Sequence, residues 1–331
     1  MNVLISLIVV VVLFLVGLLG AGVGLQVIFG VVLPYIAIAL FLVGLIYRIM
    51  SWANVPVPFR IPTTCGQQKT LPWMEQSKLD NPSTTLGVIG RMLLEVLIFR
   101  SLLRNTKTEL RNGGKLAYVI SLGLWFGALS FHWSMLIVLL RHLRFFTAPV
   151  PFFVTITEEV DGFLLRQVGA PVLFVSSLLL VVSLAYLLWR RLASPQVRYI
   201  SLVGDYFPLF LLLGIGISGL WLRHLGKTDV ASVKELALGL ATFSPVVEAS
   251  VTSLFYGHLF LVCVLIGYFP FSKLVHMPGV FLSPTRNMAN NNRMVRHVNP
   301  WDYSVKTHTY EEYEDEFREK MKKAGVPVEE G

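Results

Sequence analysis

LAYVISLGLWFGALSFHWSMLIVLLRHLR, residues 116–144, decides the fold. The stretch 116–140 carries no charged residue, and about 20 apolar residues suffice to cross a hydrocarbon core about 30 Å thick. Inside it His132 stands between Phe131 and Trp133, and His142 follows at its end. An imidazole in hydrocarbon is costly without a partner. The stretch therefore predicts a membrane helix and, in the same residues, a polar function.

The rest of the chain fits that setting. Of its 331 residues 54% are hydrophobic and 15% charged, against roughly a quarter charged in a soluble domain. Lipid is the solvent this composition requires. Six spans are expected, near 2–20, 31–49, 116–140, 168–189, 199–222 and 249–271. The class is an all-α integral membrane protein. The first span has no basic leader and no small-residue cleavage site, so it reads as retained and not as a signal peptide. Gly20, Gly22, Gly24 and Gly30 read as a turn or a close helix contact. Their spacing imitates a dinucleotide loop, but no strand precedes it.

Between the second and third spans lies a long polar connection, 50–115. It opens with Pro56, Pro58 and Pro62, which favour extended backbone. Its apolar part, 86–103, is cut by Arg91, Glu95 and Arg100 and reads as an interfacial helix, since spanning would bury three charges. The connection carries nine Lys/Arg, the turn 190–198 three, and the tail after 272 nine, while the opposite loops 141–167 and 223–248 carry three each. Basic residues gather on the cytoplasmic side. Both termini and the connection are therefore expected on the cytoplasmic side of the cell (inner) membrane. The net charge of +8 belongs to this pattern and not to nucleic-acid binding. In the tail, Thr309 and Glu312 have capping-box spacing and Gly325 can close a short charged helix, expected to lie on a partner.

Four histidines carry the chemistry. His132 and His142 belong to the third span, His258 and His276 to the sixth. Two axial imidazoles hold one b-type haem, a flat apolar group suited to a bundle interior. The spans run in opposite directions, so His132 pairs with His276 at the inner face and His142 with His258 at the outer. Ten residues separate the first two by about 15 Å and eighteen the others by about 27 Å, a mismatch that a break at Pro270 would absorb. His142 and His276 also read as interfacial residues at span ends. His224, beside Arg223, competes for the outer site. With only Cys65 and Cys263 there is no C-x-x-C for an iron–sulfur cluster and no C-x-x-C-H for covalent haem. Cys65 reads as inert or as a redox residue. Asp205, two turns inside the fifth span, reads as a proton site or as a partner of Arg190, Arg191 or Arg198. At the outer side Arg141, Arg144 and Arg166 could meet haem propionates or a quinone carbonyl. Glu158, Glu159 and Asp161 could accept quinol protons.

From Pro34 onward the chain resembles the gamma (cytochrome b) subunit family of respiratory nitrate reductase. The matching residues are Pro-Tyr-Ile-Ala at 34–37, Phe131-His132 with His142, Arg-Arg-Leu-x-Ser-Pro-x-Val-Arg at 190–198, Asp205, and His258 through Phe-Pro-Phe-Ser-Lys-Leu-Val-His at 269–276. That resemblance implies two haem b groups with the pairing above. The extra first span, the 50–115 insertion and the extended tail resemble instead the DsrM family, the membrane cytochrome b subunit of the sulfite-reduction-associated Dsr complex. Ile-Pro-Thr-Thr-Cys-Gly-Gln-Gln at 61–68, Phe-Leu-Ser-Pro-Thr-Arg-Asn at 281–287 and His-Val-Asn-Pro-Trp at 297–301 carry this match. It implies menaquinol as electron donor and a cytoplasmic iron–sulfur subunit of heterodisulfide-reductase type as acceptor. It also implies a periplasmic multihaem cytochrome c, an iron–sulfur protein and a second membrane subunit as partners.

Five parts are thus expected: an extra N-terminal span (1–30), a second span (31–49), the cytoplasmic connection (50–115), a four-helix haem-binding domain (116–272) and a cytoplasmic tail (273–331). The expected function is a di-haem electron-transfer subunit with a quinone site beside His142, at Arg144, Glu158, Asp161 and Arg166. Competing readings are a gamma-type cytochrome b of a nitrate reductase or heterodisulfide reductase, and a haem-free membrane anchor. A secondary transporter would show paired repeats, which the two halves lack.

Overall fold

Apolar length accounts for most of the architecture. The computed structural model describes residues 1–55, 73, 75–104, 106–168, 171–226, 228–290 and 306–329. In chain order the elements are α1 (Asn2–Gly22), α2 (Leu33–Ala53), α3 (Thr85–Ile98), α4 (Arg100–Leu103), β1 (Thr106–Arg111), β2 (Lys115–Ile120), α5 (Leu122–His142), α6 (Phe152–Phe163), α7 (Val175–Ala193), α8 (Pro195–Ile200), α9 (Val203–His224), α10 (Val230–Ala241), α11 (Ser253–Tyr268), α12 (His276–Leu282), α13 (Pro284–Asn287) and α14 (Tyr310–Lys323). Six of them, α1, α2, α5, α7, α9 and α11, are long and apolar enough to cross a membrane. The chain is a multi-pass membrane protein. Crossing by all six would put the α2–α5 connection on one side and α6 and α10 on the other.

Helix α11 packs on α1, α2 and α9; α9 also meets α1 and α7, and α7 meets α5. Val10, Leu211 and Leu261 fill the first of these contacts, and Leu180, Leu184, Leu212 and Leu213 the second, with Phe131 and Met135 packed against them. Small residues allow the closest approach, as they do between membrane helices generally. A Cβ on Gly17 of α1 would come within 3.0 Å of the Gly257 Cα in α11. Among the described residues α5 and α11, the two long histidine-bearing helices, share no packed interface and are linked through α7 and α9.

Four features differ from the sequence expectation. The third span starts at Leu122, because 116–120 is strand: β1 and β2 form an antiparallel hairpin with Thr106 opposite Ile120. The sixth span ends at Tyr268, so His276, expected to belong to it, lies beyond the break expected at Pro270. After Tyr268 come two 3-10 turns, Phe269–Phe271 and Lys273–Val275, with Ser272 extended between them. Pro270 cannot donate to the helix ladder and ends it. Third, Asp205 lies in the first turn of α9, where its carboxylate accepts from the Leu202 amide at 3.0 Å and from Lys273 Nζ at 2.6 Å. Its partner is a lysine of the break and none of the three arginines. Last, α14, a charged helix with no self-burying face expected, encloses Glu314, which accepts from the Glu329 amide at 3.0 Å and forms an ion pair with Arg318 at 3.0 Å.

Other expectations hold. Helix α3 has 14 residues, about 21 Å, which is too short to cross. Its N-cap Thr84 accepts from the Gly87 amide at 3.2 Å. Behind it, Asp80 binds Arg100 and Arg104. The Arg100 hydrogen bond, above all, holds that carboxyl well below the usual carboxylate range. Gly24 turns the chain between α1 and α2 at φ +98°, so the glycine cluster serves both a turn and close packing. Thr309 and Glu312 make the reciprocal capping box of α14 at 3.2 and 3.0 Å. Cys65 and the stretches 61–68 and 297–301 lie outside the described residues.

Candidate functional site

The break after α11 brings His276 to His132. Their ring centroids are 5.9 Å apart and their planes nearly perpendicular, at 87°. Two metal–imidazole bonds of about 2 Å each, with the ring half-widths, come to about this separation. Farther along, His142 ends α5, and His258 stands in the second turn of α11. The structure joins His224 to no other histidine among the described residues.

Each of the four rings is held the same way. His132 Nδ1 is 2.7 Å from the Ala128 carbonyl, His142 Nδ1 2.7 Å from that of Val138, and His276 Nδ1 3.0 Å from that of Lys273. A carbonyl only accepts, so each Nδ1 carries the proton and Nε2 presents its lone pair. His258 Nδ1 lies 2.8 Å from Ser218 Oγ. Ser218 donates its own proton to the Ile215 carbonyl at 3.1 Å, which leaves its oxygen to accept from Nδ1–H. No Nε2 of the four has a hydrogen-bond partner among the described residues, and none of the rings is buried. This is the preparation a metal-binding histidine needs.

Ser218 escaped the sequence reading. Its signal was a hydroxyl in an apolar span next to Gly219, where a Cβ would come 3.3 Å from His258 Cε1. Ser218→Ala is expected to weaken haem binding at the outer pair by about 10–100-fold. Ser183→Ala, which removes a hydroxyl bonded only within α7, should leave it unchanged. Haem titration of the two apo variants makes the comparison.

The outer side holds a charge network. Arg141 and Asp161 are both buried, and Arg141 Nη1 donates to Asp161 Oδ2 at 2.9 Å. Asp161 also accepts from the Ser176 amide and hydroxyl at 2.7 and 2.6 Å. The guanidiniums of Arg141 and Arg223 lie over the Phe174 ring, at 3.3 and 4.4 Å from its centroid. Arg144 makes a two-oxygen pair with Glu158 at 2.9 and 3.0 Å, and Arg166 pairs with Glu159 at the surface. Asp161, expected to be an open proton acceptor, is thus committed to bracing Arg141, the neighbour of His142. Beside it, Ile137, Ile156, Val160, Leu164 and Val175 line a groove of about 380 Å³ with Thr157 and Asp161 as its polar residues. Val160 and Leu164 are largely exposed, so the groove opens toward lipid.

The residues fit haem. Porphyrin fills four positions of an iron and two facing imidazoles complete it. Among the described residues no three His, Cys, Asp or Glu side chains converge, and His132 and His276 stand together as two.

Six apolar helices of membrane-spanning length, with His132 and His276 brought together at one end, are of the kind a cytochrome b-like membrane protein has. The chain belongs to the nitrate reductase gamma subunit family, whose profile matches residues 92–298. It is 47% identical over 284 residues to the Hdr-like menaquinol oxidoreductase cytochrome b-like subunit of Archaeoglobus fulgidus, covering 83% of this chain and 84% of the relative. The counterpart in Archaeoglobus profundus is 44% identical over 276 residues, covering 82% and 81%.

Proposed function

We propose that this protein is the di-haem cytochrome b subunit of a menaquinol-oxidising complex that passes electrons to a cytoplasmic iron–sulfur subunit of heterodisulfide-reductase type. The observation that carries this reading is the common preparation of four histidines in two pairs, each with Nδ1 fixed and Nε2 free. His132 and His276 would hold the inner haem, His142 and His258 the outer one. Bound haem supplies a one-electron carrier shielded from water. Ala128, Val138 and Lys273 carbonyls and Ser218 orient the rings. Arg141, braced by Asp161, places a fixed positive charge beside His142, suited to a haem propionate.

The donor is a quinol because the outer groove is apolar, opens to lipid and has the size of a small-molecule site. Menaquinol follows the descriptions of the two Archaeoglobus relatives. Glu158, exposed more than Asp161 and paired with Arg144, is the carboxylate at that end able to take a quinol proton. Arg166 stands farther out as a surface pair. The basic connection and tail form the cytoplasmic face on which the iron–sulfur subunit docks, and both termini are cytoplasmic. The resemblance at 61–68, 281–287 and 297–301 supports a role in dissimilatory sulfur metabolism, beside the further Dsr subunits.

A pyridine haemochrome assay on the purified chain is expected to give two b haems per protein. A quinol analogue should then shift the spectrum of the haem that is lost in His142→Ala. A ratio near one, or a shift in the haem lost in His132→Ala, overturns the assignment.

A further inference from the structure

Phe99 ends α3 in the left-handed region, at φ 52° and ψ 50°. Side chains with a Cβ avoid this backbone, and glycine is the usual residue at such a helix end. The backbone role here is ordinary. The Phe99 amide donates to the Glu95 carbonyl at 3.1 Å, and its own carbonyl accepts from Leu102 and Leu103 at 2.9 and 3.0 Å. Glycine would serve all of these bonds without strain, so the ring is what the position keeps.

That ring lies edge-to-face on His132, with centroids 4.8 Å apart and planes at 80°. Phe131 makes a second edge contact at 4.8 Å. The elbow is pinned in place from α5. The indoles of Trp125 and Trp133 donate to the Ile98 and Leu97 carbonyls at 2.7 and 3.0 Å, using acceptors that a helix end leaves free. From the other side, Arg286 of α13 bonds Ser101 and approaches Glu95 at 4.0 Å. The Asn290 amides meet Asn81 Oδ1 at 2.5 Å and the Pro82 carbonyl at 2.6 Å. The same tail segment begins with His276, so the segment that carries His276 is fastened to the connection that carries Phe99.

We propose that Phe99 is a positioning residue for the inner site: its ring fixes the plane of His132 and keeps water from the gap between His132 and His276. This inference rests on the haem assignment above. A strained residue held by its surroundings next to a functional group is where such a role is expected, and water exclusion and ring orientation both tune a haem.

The test compares Phe99→Gly, Phe99→Leu and Phe99→Tyr in the full chain by haem ratio, electron paramagnetic resonance and redox titration. Phe99→Gly is expected to keep two haems, change the resonance signal of the inner haem and lower its potential, because admitted water favours the charged oxidised form. The outer haem should not change. Phe99→Tyr should restore the native signal, and Phe99→Leu, which fills space without a ring edge, should not. An inner haem unchanged in signal and potential in Phe99→Gly overturns the proposal. If Phe99→Gly loses the inner haem, the Leu variant decides: a native signal there overturns it, an altered one supports it. Absence of haem from the unmodified protein overturns both this inference and the assignment beneath it, whereas native variant spectra overturn this inference alone.

Discussion

His132→Ala and His276→Ala are each expected to remove the same haem, lowering the haem ratio from two to one. His142→Ala and His258→Ala should remove the other. His132 and His276 lie 144 positions apart, yet their rings are 5.9 Å apart, so on the proposed assignment either loss would leave the haem with one histidine to hold it. A bis-histidine site held by two bonds keeps little affinity with one. His224→Ala should keep both haems, since its ring meets no histidine among the described residues. Difference spectra of the reduced variants sort the four into pairs. Loss of different haems in His132→Ala and His276→Ala would break the pairing.

Asp161→Ala is expected to cost about 3–5 kcal/mol, the usual effect of removing one partner of a buried ion pair. Arg141 has a side chain 10% exposed and Asp161 one of 6%, so the guanidinium would stay enclosed without its carboxylate. Asp161 also accepts two bonds from Ser176, and the loss frees the start of α7 from α6. Because Arg141 adjoins His142, the outer haem should be lost more readily than the inner. Asp161→Asn keeps an acceptor for Ser176 and should be milder. Thermal unfolding in detergent, read with the haem ratio, checks both effects. Native stability in the alanine variant would show that Asp161 does not brace the site.

The spans were legible because lipid selects long uncharged runs, and run length is visible in any sequence. The capping box at Thr309 and Glu312 was legible for a similar reason, since its bonds are local. The hairpin was hidden because the apolar residues Leu116 to Ile120 run directly into the third span. The true signal was Gly113-Gly114, both with positive φ, after the alternating Thr106–Arg111. Span direction returns the chain after α11 to the His132 end of α5, but it does not give the extended Ser272 beyond the break. Periodicity extends a helix through Phe269–Val275, and only Pro270 marks the break. Asp205 was placed too deep because the fifth span begins at Val203 and not at 199. The network around Arg141 was beyond reach, since it joins residues of α5, α6 and α7 that only tertiary packing brings together.

The break after α11 makes the two histidine pairs unequal under mechanical load. His142 and His258 sit on two crossing helices, so any change in bilayer thickness that tilts α5 against α11 acts on that pair directly. His276 sits beyond an extended Ser272, on a segment fastened to the connection by Asn290 and Arg286. Its distance to His132 is set by that fastening and not by the slope of α11. Membranes of different lipid chain length should therefore disturb the outer pair first and leave the inner pair in register.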